Sequence, residues 1–227
     1  MIGIFDSGVG GMCALRQVRG MLPRADILYL ADRKNSPYGT KGAQEILRLT
    51  KNNIKRLRDM GAEAILIACC TASSLYPYLS PEERAISTPI IEAGAMRAVE
   101  VGSRITVIAT EHTARSRAFS REIARHCDAH VSELAEQELV SLVEGGCRDG
   151  AVGPREREYL FGLRDRILST GADTLILGCT HFSHLYGEIS AMLPGIKIIS
   201  PAKEGAIQIV KKISRRPTGC GRTVYTS

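Results

Sequence analysis

The sequence predicts an α/β protein of two pseudo-symmetric halves, each Rossmann-like or flavodoxin-like with a mostly parallel sheet, and a site in the cleft between them. Three observations carry that expectation. Short apolar runs rich in β-branched residues recur along the chain, each followed by a stretch of helical periodicity. That is the pattern of parallel strands buried on both faces and joined by helices. A glycine-rich turn, Asp6-Ser7-Gly8-Val9-Gly10-Gly11, follows the first run and opens a helix. Finally, Gly61 to Thr71 (Gly-Ala-Glu-Ala-Ile-Leu-Ile-Ala-Cys-Cys-Thr) is echoed nearly half a chain later by Gly171 to His181 (Gly-Ala-Asp-Thr-Leu-Ile-Leu-Gly-Cys-Thr-His).

Taken in order, the first strand is expected over residues 2–5 and the helix after the glycine-rich turn over 12–21. Such a turn aims backbone N–H groups and a helix dipole at an anion. It is not a P-loop, because no Lys-Ser/Thr pair follows, and Cys13 stands where a dinucleotide fingerprint needs its third glycine. A strand over 27–31 leads into a loop holding Pro37-Tyr38-Gly39, then an amphipathic helix over 42–60 with Ile46, Leu47, Leu49, Ile54 and Leu57 inward and Gly61 as its stop. The first cysteine strand covers 64–68. A short strand is expected over 89–91, with Glu92-Ala93-Gly94 crossing into the second half. There the rhythm restarts: strand 105–109, helix 111–126, strand 130–133, helix 136–143, helix 154–168, the second cysteine strand 174–177, a last strand 196–199 and a last helix 201–214. A basic, turn-rich tail begins at 215. Residues 1–92 with 201–227 are thus expected to form one domain carrying Cys69, and 93–200 a second carrying Cys179.

Composition narrows the class. A chain of 227 residues, 44% apolar and 24% charged, has the make-up of an ordinary globular protein, and with no tryptophan its core must be mainly aliphatic. The net charge of +6 is spread over helical stretches, as in Arg48, Lys51, Lys55, Arg56 and Arg58, without interleaved aromatics. Solvated helix faces, not nucleic-acid contacts, are expected, with a positive field that favours a small anionic substrate. No apolar run approaches the ~20 residues of a membrane span. The opening, with an acid at position 6 and no basic n-region, does not read as a signal peptide. Seven cysteines, an odd number with Cys69 and Cys70 adjacent, fit a reducing cytoplasm better than a disulfide framework.

The chemistry centres on Cys69 and Cys179. A free cysteine taken singly is most often a packing residue, but these two follow equivalent strands, where open α/β sheets bind their ligands. A helix N-terminus just beyond each is expected to lower the thiol pKa from ~8.5. Cys179 has Thr180 and His181 beside it, and Cys69 shares a sheet edge with Asp6 if their strands are neighbours. The rival is a metal held by Cys179, His181 and His184 with Cys69 and Cys70. Adjacent cysteines suit one ion poorly and no Cys-x-x-Cys pair is present, so no metal is expected. His184 reads as a packing or helix-surface residue. His112, His126 and His130 have no matching partners, and Cys13, Cys127, Cys147 and Cys220 read as packing.

These residues together resemble the glutamate racemases of the cofactor-independent Asp/Glu racemase family. Asp6 to Gly11 is similar to that family's opening motif, Pro37-Tyr38-Gly39-Thr40-Lys41 to its substrate loop, Ala68-Cys69-Cys70-Thr71-Ala72-Ser73 to its Cys-Asn-Thr-Ala-Ser motif, and Gly178-Cys179-Thr180-His181 to its Gly-Cys-Thr-His motif. Weaker matches are Ile91-Glu92-x-Gly94-Ala95, Ala109-Thr110-x-x-Thr113-x-x-Ser116, Leu142-Val143-Glu144-Gly145 and Tyr225-Thr226. The resemblance implies racemisation of L-glutamate to D-glutamate by two thiols flanking the α-carbon, without pyridoxal phosphate or any other cofactor, supplying D-glutamate for the peptidoglycan wall of a cytoplasmic homodimer's host cell. It further implies that Cys69 and Cys179 are the acid/base pair, assisted by Asp6 on one side and by His181 with Glu144 on the other. Asp6, Ser7, Pro37, Tyr38, Gly39, Cys70, Thr71, Thr113, Thr180 and His181 would hold the amino acid. The chain departs from the family pattern at Cys70, in place of asparagine, at His112, in place of glycine, and at Phe182-Ser183-His184, in place of Tyr-Pro-Leu. The change at Cys70 leaves two alternatives: a racemase of another amino acid, aspartate or broader, and a catalytically weak amino-acid-binding relative.

Overall fold

The apolar runs become strands because their side chains are buried to both sides. The computed structural model describes residues 1–147, 152–213 and 219–227. Its strands are β1 (Ile2–Asp6), β2 (Ile27–Ala31), β3 (Ala64–Ile67), β4 (Ser87–Pro89), β5 (Arg104–Ala109), β6 (His130–Ala135), β7 (Thr174–Gly178), β8 (Lys197–Ile199) and β9 (Thr223–Thr226). They build two sheets, ordered β4-β3-β1-β2-β9 and β6-β5-β7-β8, in which every neighbouring pair is parallel. With β9 set aside the two orders are the same. The cysteine strands β3 and β7 each lie beside the first strand of their sheet, Ile4 level with Leu66 and Ile108 with Leu177.

Three apolar layers hold this arrangement. One lies on the outer side of the first sheet, where helix Ala43–Asp59 sets Ile46, Leu49, Ile54 and Leu57 against Phe5, Ile65 and Ile67. Another lies outside the second sheet, under helices Gln137–Glu144 and Pro154–Ser169. The third is shared: helices Met12–Met21, Ile90–Val101 and Pro201–Lys212 contribute to one cluster with Ile2 and Ile4 of the first sheet and Ile105, Val107 and Ile176 of the second. The two central helices approach closely through glycine. A Cβ on Gly205 would sit 2.4 Å from Ile90 Cγ2, and one on Gly94 2.8 Å from the Pro201 ring.

The structure corrects several sequence expectations. Residues 89–91 are not a strand with a crossing after it; the strand is β4, and Glu92, Ala93 and Gly94 lie inside helix Ile90–Val101. That helix buries Ile90, Ile91, Ala95 and Ala98 in the cluster shared by the two sheets and keeps Met96, Arg97 and Glu100 at the surface, and its apolar start at Ile90-Ile91 reads like the end of a strand. A helix at Pro81–Ile86, started by a Ser80–Glu83 capping box, was not expected. The expected helix over 111–126 is broken in two at Arg117, whose φ of 50° places it in the left-handed region. The strand ending at Ile199 is not the last: β9 pairs with β2. Arg19 fastens this tail, donating to the carbonyls of Ala25 and Arg222 and to Thr223 Oγ1. Cys127 and Cys220 are exposed, not packed, and His126 does have a partner, Glu122, at 3.3 Å. Residues 214–218, the expected helix end and the start of the tail, lie outside the described residues. Among the described residues no helix is long and apolar enough to cross a membrane.

Candidate active site

Both cysteines leave the carboxyl end of a buried strand, where the ladder stops and the chain must turn. Cys69 follows β3 and precedes a single helical turn, Cys70–Ser73. Cys179 follows β7 and precedes the tight stretch Thr180–Leu185. The two thiols are 4% and 6% exposed, so each is almost wholly withdrawn from water.

Asp6, fully buried at the end of β1, ties these turns together. Its Oδ2 accepts the N–H groups of Gly8 and Gly11 at 3.0 and 3.1 Å, which folds the glycine-rich turn, and its Oδ1 accepts the Thr180 hydroxyl at 3.1 Å. Gly10 then lies flat on the Cys179 turn: a Cβ there would stand 2.4 Å from Thr180 Oγ1 and 2.7 Å from His181 N. The same intimacy recurs at Gly39, where a Cβ would meet Gln137 Oε1 and Thr110 Cβ, both at 2.7 Å. It recurs again where Thr71 Oγ1 hydrogen-bonds Thr110 Oγ1 at 3.0 Å and Thr113 Oγ1 at 3.2 Å. The site is therefore assembled across the seam between the sheets.

The company of each thiol differs. Cys69 Sγ donates to Ser7 Oγ at 3.5 Å. Burial pushes this thiol up to about 12, with the charges of Asp6 and Cys179 adding to the rise and the Ala72 N–H and Ser7 opposing it. This overturns the expected lowering by a helix N-terminus: the helix after Cys69 is one turn long, and desolvation is the larger effect. Cys179 Sγ lies 3.6 Å from His181 Nδ1. On the far side of the ring, Nε2 is 3.3 Å from Glu144 Oε1, an ion-pair distance off the hydrogen-bonding direction. Burial opposes protonation of His181, yet its contacts with Cys179 and Glu144 and the charge of Asp6 outweigh it and hold the imidazole up at about 10. Glu144, in turn, is held below its usual value chiefly by His181. Cys70, 2% exposed, is raised well above the ordinary thiol range by burial first and then by the charges of Cys179 and Cys69.

The remaining expected residues fall nearby with one change of emphasis. Pro37 is half-buried and leads into the turn Tyr38–Thr40. Tyr38 is 1% exposed, and its hydroxyl donates to Asp32 Oδ2 while receiving Asn53 Nδ2 at 3.0 Å. Its side chain therefore anchors the loop. His112 backs the same loop: burial lowers its pKa, and a hydrogen bond to the Lys41 backbone opposes the shift. Among the described residues no group of three or more His, Cys, Asp or Glu side chains is placed to hold a metal ion.

A family model described as Asp/Glu/Hydantoin racemase matches residues 14–209. The chain belongs to that family. The curated glutamate racemase of Persephonella marina is 38% identical over 215 residues, covering 93% of this chain and 82% of the relative. That of Aquifex aeolicus is 33% identical, covering 99% and 88%. Among solved structures, glutamate racemase from Thermus thermophilus in complex with β-chloro-D-alanine superimposes with a TM-score of 0.83 at 32% identity, over 99% of this chain and 86% of that one. The Francisella tularensis enzyme in complex with D-glutamate gives a TM-score of 0.83 at 27% identity, over 100% and 88%.

One contributor to this racemase-family site, Asp32, went unread in the sequence, and two others, Thr110 and Gly10, were read without the contacts they make. Asp32, 4% exposed, gathers Tyr38, Asn35 and Asn53 around the substrate loop. A readable signal existed, an aspartate directly after a fully buried strand, but its helical partner Asn53 lies too far along the chain to be paired by inspection. Thr110 links Thr71 to Thr113. Gly10 was read as part of an anion turn, whereas its position against Thr180 is a matter of close approach.

Proposed function

We propose that this chain racemises glutamate, interconverting the L and D forms by proton transfer at the α-carbon without a cofactor. What carries the reading is the meeting of two strand-end thiols, one from each sheet, at a seam closed by the Asp6–Thr180 hydrogen bond; the glutamate racemases among its relatives support it. In the forward step the thiolate of one cysteine takes the α-proton, leaving a carbanion whose charge spreads into the substrate carboxylate. The opposite thiol then gives its proton to the other face, so that one proton has been taken and one returned. Cys69, raised to about 12, rests as the thiol and proton donor. Cys179, beside a protonated His181 backed by Glu144, is the second acid/base group. Asp6 positions the Thr180 side of the site, and Ser7, Thr71, Thr113, Thr180 and the backbone of Pro37, Tyr38 and Gly39 hold the amino and carboxylate groups. Fixed dipoles in a dry pocket supply the acidity that no cofactor provides.

The same reading makes residues 1–92 with 201–227 and residues 93–200 the two domains, places the enzyme in the cytoplasm as a homodimer, and gives its D-glutamate to peptidoglycan synthesis. The test is incubation of purified protein with either enantiomer in D2O, following optical activity and deuterium at the α-carbon. Cys69→Ala and Cys179→Ala are each expected to slow interconversion by at least about 10³-fold. Retained two-way racemisation in both variants would sink the two-thiol mechanism.

One observation favours a second reading. Cys70 is buried beside both thiols and packs into the shared apolar cluster, so this wall of the site offers a weak hydrogen-bonding group. That suits another amino acid, aspartate or a broader set, or a weakly active binding protein. Turnover of aspartate above glutamate would select the first. Ligand-induced stabilisation without racemisation, with glutamate turnover rising in Cys70→Asn, would select the second.

A further inference from the structure

Ser36 stands in the loop between β2 and Pro37-Tyr38-Gly39, and its neighbours on both sides are fastened to Asp32, Asn35 by its amide and Tyr38 by its hydroxyl. The position of the Ser36 hydroxyl is therefore set, yet this buried oxygen makes no hydrogen bond. His181 Nε2 is a second buried polar atom in the same condition. The two converge on one residue: a Cβ on Gly8 would stand 3.3 Å from Ser36 Oγ and 3.5 Å from both Cε1 and Nε2 of His181. Buried polar groups left without partners are costly, and two of them around one point call for a shared one. The Glu144 carboxylate fills that description. Its Oε1 is 3.3 Å from His181 Nε2, and the Ser36 hydroxyl, after His181, is among the groups that hold Glu144 below its usual value.

Glu144 is the last residue of helix Gln137–Glu144, where the helix dipole disfavours an anion. Other groups must hold the carboxylate there, and its side chain, 41% exposed, is the one of the three with room to turn. A carboxylate offers two oxygens. A small turn that lets one accept the Ser36 hydroxyl brings the other into line with Nε2–H, and both buried groups are satisfied at once. We propose that Ser36 is a positioning residue for the Cys179 side of the site: its hydroxyl donates to the Glu144 carboxylate and sets that carboxylate on His181 Nε2, joining the substrate loop of one half to the imidazole of the other. The charged and titratable groups facing His181 are Cys179 from the end of β7, Glu144 from helix Gln137–Glu144 and Asp6 from the end of β1. Ser36 acts on the ring only through Glu144, so seating the loop and holding the imidazole proton become one event. The consequence for turnover rests on the racemase reading; the consequence for His181 does not.

Nitrogen NMR titration of the His181 ring, together with steady-state racemisation of glutamate by the full chain, tests it. Ser36→Ala should lower the proton affinity of His181 about three- to tenfold and kcat by about as much. The alkaline limb of the pH–rate profile should move to lower pH, with KM changed by less than about twofold. Ser36→Thr, which keeps the hydroxyl, should restore all of these. Placed on Glu144→Ala, which removes the acceptor, Ser36→Ala should add less than about twofold. A His181 titration unmoved by Ser36→Ala would overturn the proposal. So would a full further effect on Glu144→Ala, or a rise in KM alone, which is what a hydroxyl serving only to hold the loop would give. A wild type without turnover would overturn the racemase reading, and the His181 titration would still decide the role of Ser36.

Discussion

The turns after β3 and β7 leave equivalent strands and deliver a cysteine at the same point, yet they give it different surroundings. Cys69 has a hydroxyl, Ser7, and a nearby carboxylate, Asp6, that discourages a second negative charge. Cys179 has an imidazole, His181, whose proton is held by Glu144 from helix Gln137–Glu144. The repeated scaffold thus fixes where the thiols are, and the groups beside them give each different electrostatic surroundings. A racemase must run both ways, but at rest its two faces need not be alike.

The contact that joins the turns is where the comparison can be broken most completely. Gly10→Ala would drive a Cβ into Thr180 Oγ1 and the backbone of His181, forcing the Cys179 turn away from the Asp6 turn. Turnover should fall by about 10²-fold or more, with a loss of about 1–3 kcal/mol in unfolding stability. A variant that turns over like the parent would mean that the two turns work without touching.

Glu144→Gln sharpens the comparison from one side. Without the carboxylate His181 is less readily protonated, so turnover should drop by at least about tenfold and the alkaline limb of the pH–rate profile should move to lower pH. An unmoved limb would detach Glu144 from the Cys179 side. The same pair sets a pH dependence of stability. The His181 pKa is raised from 6.5 to about 10 in the folded protein, so its contribution is fully present below 6.5 and is lost as pH rises through about 10. Cys69, raised from 9.0 to about 12, adds a loss in the same direction above pH 9.0. Chemical unfolding at a series of pH values should therefore show stability declining from neutrality upward, and the decline between 6.5 and 10 should flatten in His181→Asn.

The smallest expected effect lies at the threonine cluster. Thr71→Val removes the hydroxyl that joins Thr110 and Thr113 and should cost about 1 kcal/mol of stability by denaturant titration. No loss would assign those hydroxyls to ligand contact alone.

What could be read from the sequence follows burial and distance along the chain. Strands β1, β2 and β7 were legible because all of their residues are buried, which demands unbroken apolar runs. The pairing of Cys69 with Cys179 was legible because the halves repeat. Helix Ile90–Val101 was not, since it begins, at Ile90-Ile91, directly after the short strand β4 and like a strand itself. The break at Arg117 has no glycine to announce it, and β9 depends on a partner, β2, almost the whole chain away. The proton affinity of Cys69 was misjudged for a related reason. A local helix dipole can be seen in the sequence, whereas the depth of burial that overrides it is a property of the finished fold.

The position of β9 bears on how the molecule is made. β1 and β2 leave the ribosome before the other strands of these two sheets, but the edge beside β2 is filled only by Thr223–Thr226, after the described strands of the second sheet have been synthesised. Until then the nascent chain carries an open β2 edge, with Ile27, Leu28 and Leu30 behind it and unpaired backbone groups that another chain can match. The sheet begun first is the sheet finished last, and the interval between the two is the translation time of residues 32–222.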